Sequence, residues 1–175
     1  MSILQDIPSF SEQEIRKSFM VRVVPDMTQE AKQSLQNEYN EAVKQAKKQL
    51  EIQVKAIAKA NTEAFLAQPV QVLEELDIER RQLFDLGELL VYRGVAVVTL
   101  KRFGKGSKIL VGSDYECTSS NFKVTASIGP HVLTEECSST NDRYFKDRLK
   151  WFMAEKLART IAADPQGAAV LKVIA

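Results

Sequence analysis

The chain has 175 residues, 45% of them apolar and 27% charged, enough to bury a core without disulfide or metal staples. Its 24 basic and 23 acidic residues leave a formal charge of +1, which excludes a polybasic nucleic-acid sponge and an acidic tail protein. Seven glycines and five prolines exclude collagen-like and linker-like chains.

Met1-Ser2-Ile3-Leu4-Gln5-Asp6-Ile7-Pro8 has neither the basic start nor the apolar run of a signal peptide, and no stretch approaches 18 apolar residues. The expectation is synthesis in the cytoplasm without export, no membrane contact, and free thiols at Cys117 and Cys137. Residues 1–27 read as an N-terminal docking segment. Within it, Ser11 and Glu14 fit a capping box that opens a short helix, and Phe19–Val24 reads as a strand or extended segment before Pro25.

Thr28 caps the longest helical signal. From Gln29 to Gln68 there is neither Gly nor Pro, and Pro69 stops the run. Leu35, Tyr39, Ala42, Val43, Ala46, Leu50, Val54, Ile57, Asn61 and Phe65 follow in steps of one, three and four and trace one stripe. Glu51 stands four before Lys55 on an exposed face. A helix of this length spans about 55–60 Å, more than the roughly 30–35 Å diameter expected of a compact chain of this size, so it must break or find a partner. Val70–Leu86 reads as a second helix, with Leu83 and Phe84 on its apolar side and Gly87 at its end. The two form an expected helical hairpin or arm over residues 28–87.

Residues 88–175 change character. Leu89–Phe103, Lys108–Cys117, Phe122–Ile128 and His131–Glu136 read as four strands of an antiparallel meander, turning at Gly104-Lys105-Gly106 and Gly129-Pro130. Thr140 or Asn141 caps a helix from Asp142 to about Ala162, with Phe145, Leu149, Phe152, Met153, Leu157 and Ile161 on the face that covers the sheet. Ala168–Ala175 reads as a short final strand. The expected class is α+β.

The candidate chemistry is thin. Glu116-Cys117-Thr118-Ser119-Ser120-Asn121 is echoed by Glu136-Cys137-Ser138-Ser139-Thr140-Asn141, read as two polar strand-ending turns. A small thiol-dependent enzyme would need Cys117, His131 and Asn121 to converge, with His131 otherwise a solvated turn residue. Two cysteines and one histidine without a C-x-x-C make a poor zinc set, and no calcium loop is present, so neither metal nor cofactor is expected. Thr99 stands where a phosphate-binding loop ending in Gly104-Lys105 needs glycine. The order helix, three strands, helix over residues 70–162 resembles a double-stranded-RNA-binding domain. However, Gly129-Pro130-His131 and Gly104-Lys105-Gly106-Ser107-Lys108 stand in the opposite order from that family's, and the last helix opens with Asn141-Asp142-Arg143. The chain is therefore not assigned to it.

Two surfaces remain. Lys101, Arg102, Lys105 and Lys108 surround Phe103 in a basic hairpin that can grip nucleic acid, joined by Arg143, Lys146 and Lys150 of the last helix, or can dock an acidic partner. The stripe Leu35, Tyr39, Ala42, Ala46, Leu50, Val54, Ile57 and Phe65 can pack on other subunits. The expected function is a non-catalytic structural or assembly subunit, as a homo-oligomer or in a hetero-complex. A phage or virus particle component such as a connector, tail or capsid-associated protein fits, with a nucleic-acid-binding module as the alternative.

Overall fold

The computed structural model describes residues 3–82, 84–111 and 115–167, and of residues 107, 109–111 and 115–117 the backbone alone. The elements follow in the order α1 (Glu12–Met20), α2 (Gln29–Ala67), α3 (Pro69–Arg80), α4 (Leu86–Tyr92), β1 (Val97–Val111), β2 (Tyr115–Ile128), β3 (His131–Thr140) and α5 (Arg143–Ala163). The chain is α+β, and it divides into two compact units: Ile7–Ile57, and the chain before Ile7 together with Ala58 onward.

In the helical unit, α2 starts as its sequence dictates, with Thr28 Oγ1 accepting from the Ala31 N–H at 3.2 Å. It continues unbroken for 39 residues until Pro69, which cannot donate to the helix ladder. Ser11 is the N-cap of α1, but its side chain makes no capping bond. The expected strand at Phe19–Val24 is instead the last turn of α1 followed by turns: Arg22 N–H bonds Phe19 O at 3.0 Å and Met27 N–H bonds Val24 O at 3.3 Å. A β-rich run forms a strand only where another strand pairs with it, and none lies beside this one among the described residues.

In the sheet unit, β1-β2-β3 form an antiparallel meander of three strands among the described residues. On the central strand Phe122, Val124, Ala126 and Ile128 alternate inward, and α5 covers them with Met153, Ala154, Leu157, Ala158 and Ile161. Phe65 of α2, Val72, Leu73 and Leu76 of α3, and Leu86, Leu89 and Leu90 of α4 complete the core. Phe145 and Phe152, expected on the covering face of α5, are exposed, because the buried stripe runs through the small residues Ala154 and Ala158, which let the helix lie close to the sheet. The α5 cap is Asp142, not Thr140 or Asn141: its carboxylate accepts from Tyr144 N–H at 2.7 Å.

Three further expectations fail for identifiable reasons. The anticipated helix Val70–Leu86 is two helices, α3 and α4, and α3 packs on α4 and α5. The anticipated strand from Leu89 begins as α4, since Leu86, Leu89 and Leu90 are spaced for one helical face. Gly94, at φ 69°, ends that helix in a Schellman arrangement: Val95 N–H bonds Leu90 O at 2.9 Å and Gly94 N–H bonds Val91 O at 3.1 Å. Gly104-Lys105-Gly106 is not a turn. β1 runs through it to Val111, whose pair Tyr115 opens β2, with register shifts between Arg102 and Gly104 and between Lys105 and Lys108. Glycines inside a strand mark bulges and close backbone approach; a Cβ on Gly106 would lie 2.0 Å from Ser119 Oγ. The anticipated strand Lys108–Cys117 therefore spans parts of two strands, and four expected strands become three. The final strand at Ala168–Ala175 and Leu83 of the anticipated helix lie outside the described residues. The turn at Gly129-Pro130 forms as expected, closing Ile128 onto His131 with Gly129 at φ 55°, as the first residue of a II′ hairpin requires.

Candidate docking site

The stripe on α2 is the least exposed face of that helix, but each of its two parts is covered differently. In the helical unit, Leu35 is buried and Tyr39, Ala42, Ala46, Leu50, Val54 and Ile57 are half-buried. Here Phe19 meets Tyr39 edge-to-face at 5.5 Å, and Tyr39 Oη donates to Glu12 at 2.6 Å. Arg22 pairs with Glu38 at 2.7 Å, and Lys47 lies over the Phe10 ring. The Glu12 hydrogen bond, followed by desolvation, holds the Tyr39 phenol above its ordinary range. Phe65 belongs to the sheet unit and is fully buried in its core, so its contacts are internal. One turn before it, Asn61 is also buried: its amide donates to Gln5 O and Arg93 O and accepts from Gln5 N–H, each at 2.8 Å. With Leu4 buried and Ile3 N–H bonded to Glu75 at 2.9 Å, this docks the described start of the chain.

A different surface of the helical unit is left open. After α1 the chain presents Met20, Val21, Val23 and Val24 at 63%, 85%, 56% and 54% exposure. Beside them a groove of about 530 Å³ opens between α1 and α2, with Phe19, Met27 and Leu35 among its apolar walls and Glu12, Arg16 and Lys32 among its polar ones. α1 buries none of its residues, so the groove is not filled from within the unit. The sequence signal for this site was the β-rich run itself, apolar without a strand to pair with.

The basic residues fall along the edge strand β1, not on a hairpin tip. Lys101, Arg102, Phe103, Lys105 and Lys108 are all exposed along β1. Lys101 stands directly opposite Lys123 of β2, and Arg102 opposite Phe122, whose ring faces Lys146 of α5 at 5.9 Å. Arg143 and Lys150 are instead paired with Asp147.

The thiol constellation does not assemble. Cys117 pairs with Ile109 near the start of β2 and His131 with Ile128 at its end, some 35 Å along the strand, with Asn121 between them. His131 is buried, not solvated, and its Nδ1 has no hydrogen-bond partner among the described residues. Cys137 is a free, half-buried thiol; desolvation, then the Glu135 charge, pushes its pKa up, away from the thiolate a nucleophile needs. The polar echo is not a pair of turns. Its two copies lie on neighbouring strands and pair with each other, Ser119 with Thr140, Ser120 with Ser139 and Asn121 with Ser138. Among the described residues no cluster of His, Cys, Asp or Glu could hold a metal, and no helix is long and apolar enough to cross a membrane.

No family model matches the chain, and neither a curated protein nor a solved structure matches it.

Proposed function

We propose that the chain is a non-catalytic assembly subunit, of the kind from which phage or virus particles are built, and that it binds a second copy of itself through the apolar end of its helical unit. The observation that carries this reading is the run Met20, Val21, Val23 and Val24, each more than half exposed beside an unfilled groove. Contiguous apolar surface of this kind on a soluble chain marks an interaction site. Met20 and Val23 are themselves walls of the groove with Phe19, Met27 and Leu35, so the exposed run and the groove form one continuous apolar surface that a second copy can cover. Its rim carries Arg16 and Lys32 beside Glu12, which is held by Tyr39 and Lys47.

Light scattering of the protein across a concentration series tests this. The expected result is a mass above the 19.7 kDa of one chain, reduced to one chain by Val21→Asp with Val23→Asp while the circular dichroism is unchanged. A wild type that stays at one chain mass throughout, or an oligomer that the double variant leaves intact, overturns the reading.

A further inference from the structure

We infer that the bulged stretch of the β1 edge is a binding surface for single-stranded nucleic acid, formed by Lys101, Arg102, Lys105, Lys123 and Lys146 on the two sides of the exposed ring of Phe103. The first observation is how charge is distributed over the sheet unit. Its other described arginines and lysines are largely tied into ion pairs: Arg80 with Glu155, Arg93 with Glu79, Arg148 with Asp85, Lys156 with Glu135, and Arg143 and Lys150 with Asp147. Lys101, Arg102, Lys105, Lys123 and Lys146 carry no ion pair among the described residues, and they flank the bulged stretch of the edge strand β1 from both faces, Lys101 and Lys123 on the open face, Arg102, Lys105 and Lys146 on the side of α5.

The second observation is the register. Lys101 and Lys123 are direct cross-strand neighbours on the open face of the sheet. Like charges placed opposite each other weaken a sheet, so the pair carries an intrinsic cost that an anion bound between them removes. From Lys101 to Lys105 the cations extend about 13 Å along the strand, a row suited to a chain of phosphates and not to a single small anion.

The third observation selects the kind of polyanion. Phe103 falls at the first register shift, within the cationic row, and is 53% exposed. An aromatic ring held up by a strand amid lysines is a stacking platform for unpaired bases. An acidic protein surface would use the charges and leave the ring idle.

The test is fluorescence anisotropy with a labelled twenty-nucleotide oligo-dT, titrated at several salt concentrations. Five neutralised phosphates give a slope of about −3.5 in log affinity against log salt, or roughly a hundredfold loss of affinity from 50 to 200 mM. Lys101→Gln with Lys123→Gln should reduce the slope to about −2, roughly a twentyfold loss over the same range, while leaving the melting temperature unchanged or higher because the like-charge pair is gone. Phe103→Ala should weaken binding about tenfold at an unchanged slope. Three results overturn the proposal: no binding of the oligonucleotide at 50 mM salt, wild-type binding by the double lysine variant, or polyglutamate of equal charge competing as well as unlabelled oligo-dT. The last would mark the surface as one for acidic protein.

Discussion

Gly87 sits in the first turn of α4 where that helix crosses α5. A Cβ added there would lie 1.9 Å from the carbonyl oxygen of Trp151, 2.5 Å from its carbonyl carbon and 2.9 Å from its Cα. Contacts under 3.0 Å essentially do not occur for a real Cβ, so the two helices must part by about 1.1 Å before alanine fits. Because every clashing atom is backbone, no side-chain rotation relieves it. The parting loosens Leu86, Leu89 and Leu90 against Met153 and Leu157 in the shared core. Overpacking of this kind costs about 1–3 kcal/mol and occasionally more. The better helix propensity of alanine returns at most about 1 kcal/mol in a helix interior, and less in a first turn. Gly87→Ala should therefore destabilise the protein by about 2 kcal/mol, lowering the melting temperature by about 4–8 °C for a chain of this length. Trp151 is the sole tryptophan, so its fluorescence in a urea titration reports unfolding at the contact itself. Gly104→Ala is the control, because its nearest neighbour would be Asn121 Nδ2 at an ordinary 3.5 Å. A urea midpoint for Gly87→Ala at or above that of wild type would refute the reasoning.

Asn61→Leu leaves the Arg93 carbonyl and the Gln5 backbone without their buried partner and should cost about 2–4 kcal/mol, read by urea unfolding, with faster hydrogen exchange at the Gln5 amide. Gly129→Ala forces φ 55° on a residue with a Cβ and pushes it to 2.6 Å from Leu66 Cδ1. The left-handed backbone alone costs about 1–2 kcal/mol, and an unshifted melting temperature would contradict the turn geometry. The Tyr39 phenol is raised in the folded state by its bond to Glu12, so its protonated form is the one favoured on folding. The clasp it makes holds at neutral pH, weakens as pH rises through the folded pKa, and should show in ultraviolet titration as a late-ionising tyrosine absent from Tyr39→Phe.

What could be read from the sequence was whatever a period announces. The α2 helix is an uninterrupted run bounded by Thr28 and Pro69, and it forms within those bounds. α5 was legible in extent and, through Leu149, Met153, Leu157 and Ile161, in most of its buried face; Phe145 and Phe152 misled because Ala154 and Ala158, which complete that face, carry little hydrophobic signal beside them. α4 was hidden because Leu89-Leu90-Val91-Tyr92 is too short for a period to declare itself; Gly94, inside the supposed strand, was the overlooked sign of a helix end. Likewise, two glycines a residue apart suit either a turn or a bulge, and the choice rests on Ser119 and Asn121 of the next strand. The opposition of Lys101 and Lys123 is a property of register, which no single strand contains. Asn61, a polar interruption in an apolar stripe, proved to be the residue that receives the start of the chain.

The pairing of the two serine-rich segments has a consequence for how the β2–β3 hairpin forms. Near Gly129-Pro130 the strands are locked by a tight turn and by Ile128, Ala126 and Val124, so that sliding by one residue would throw these side chains into water. At the far end small polar residues face one another, Ser119 with Thr140 and Ser120 with Ser139, and the apolar alternation that sets the register near the turn is replaced by the Ser138–Asn121 hydrogen bond. The hairpin is thus a zipper with one sewn end. The expected outcome is amide exchange that quickens from Ala126 towards Ser119 as a gradient along a single strand; uniform exchange along β2 would contradict it.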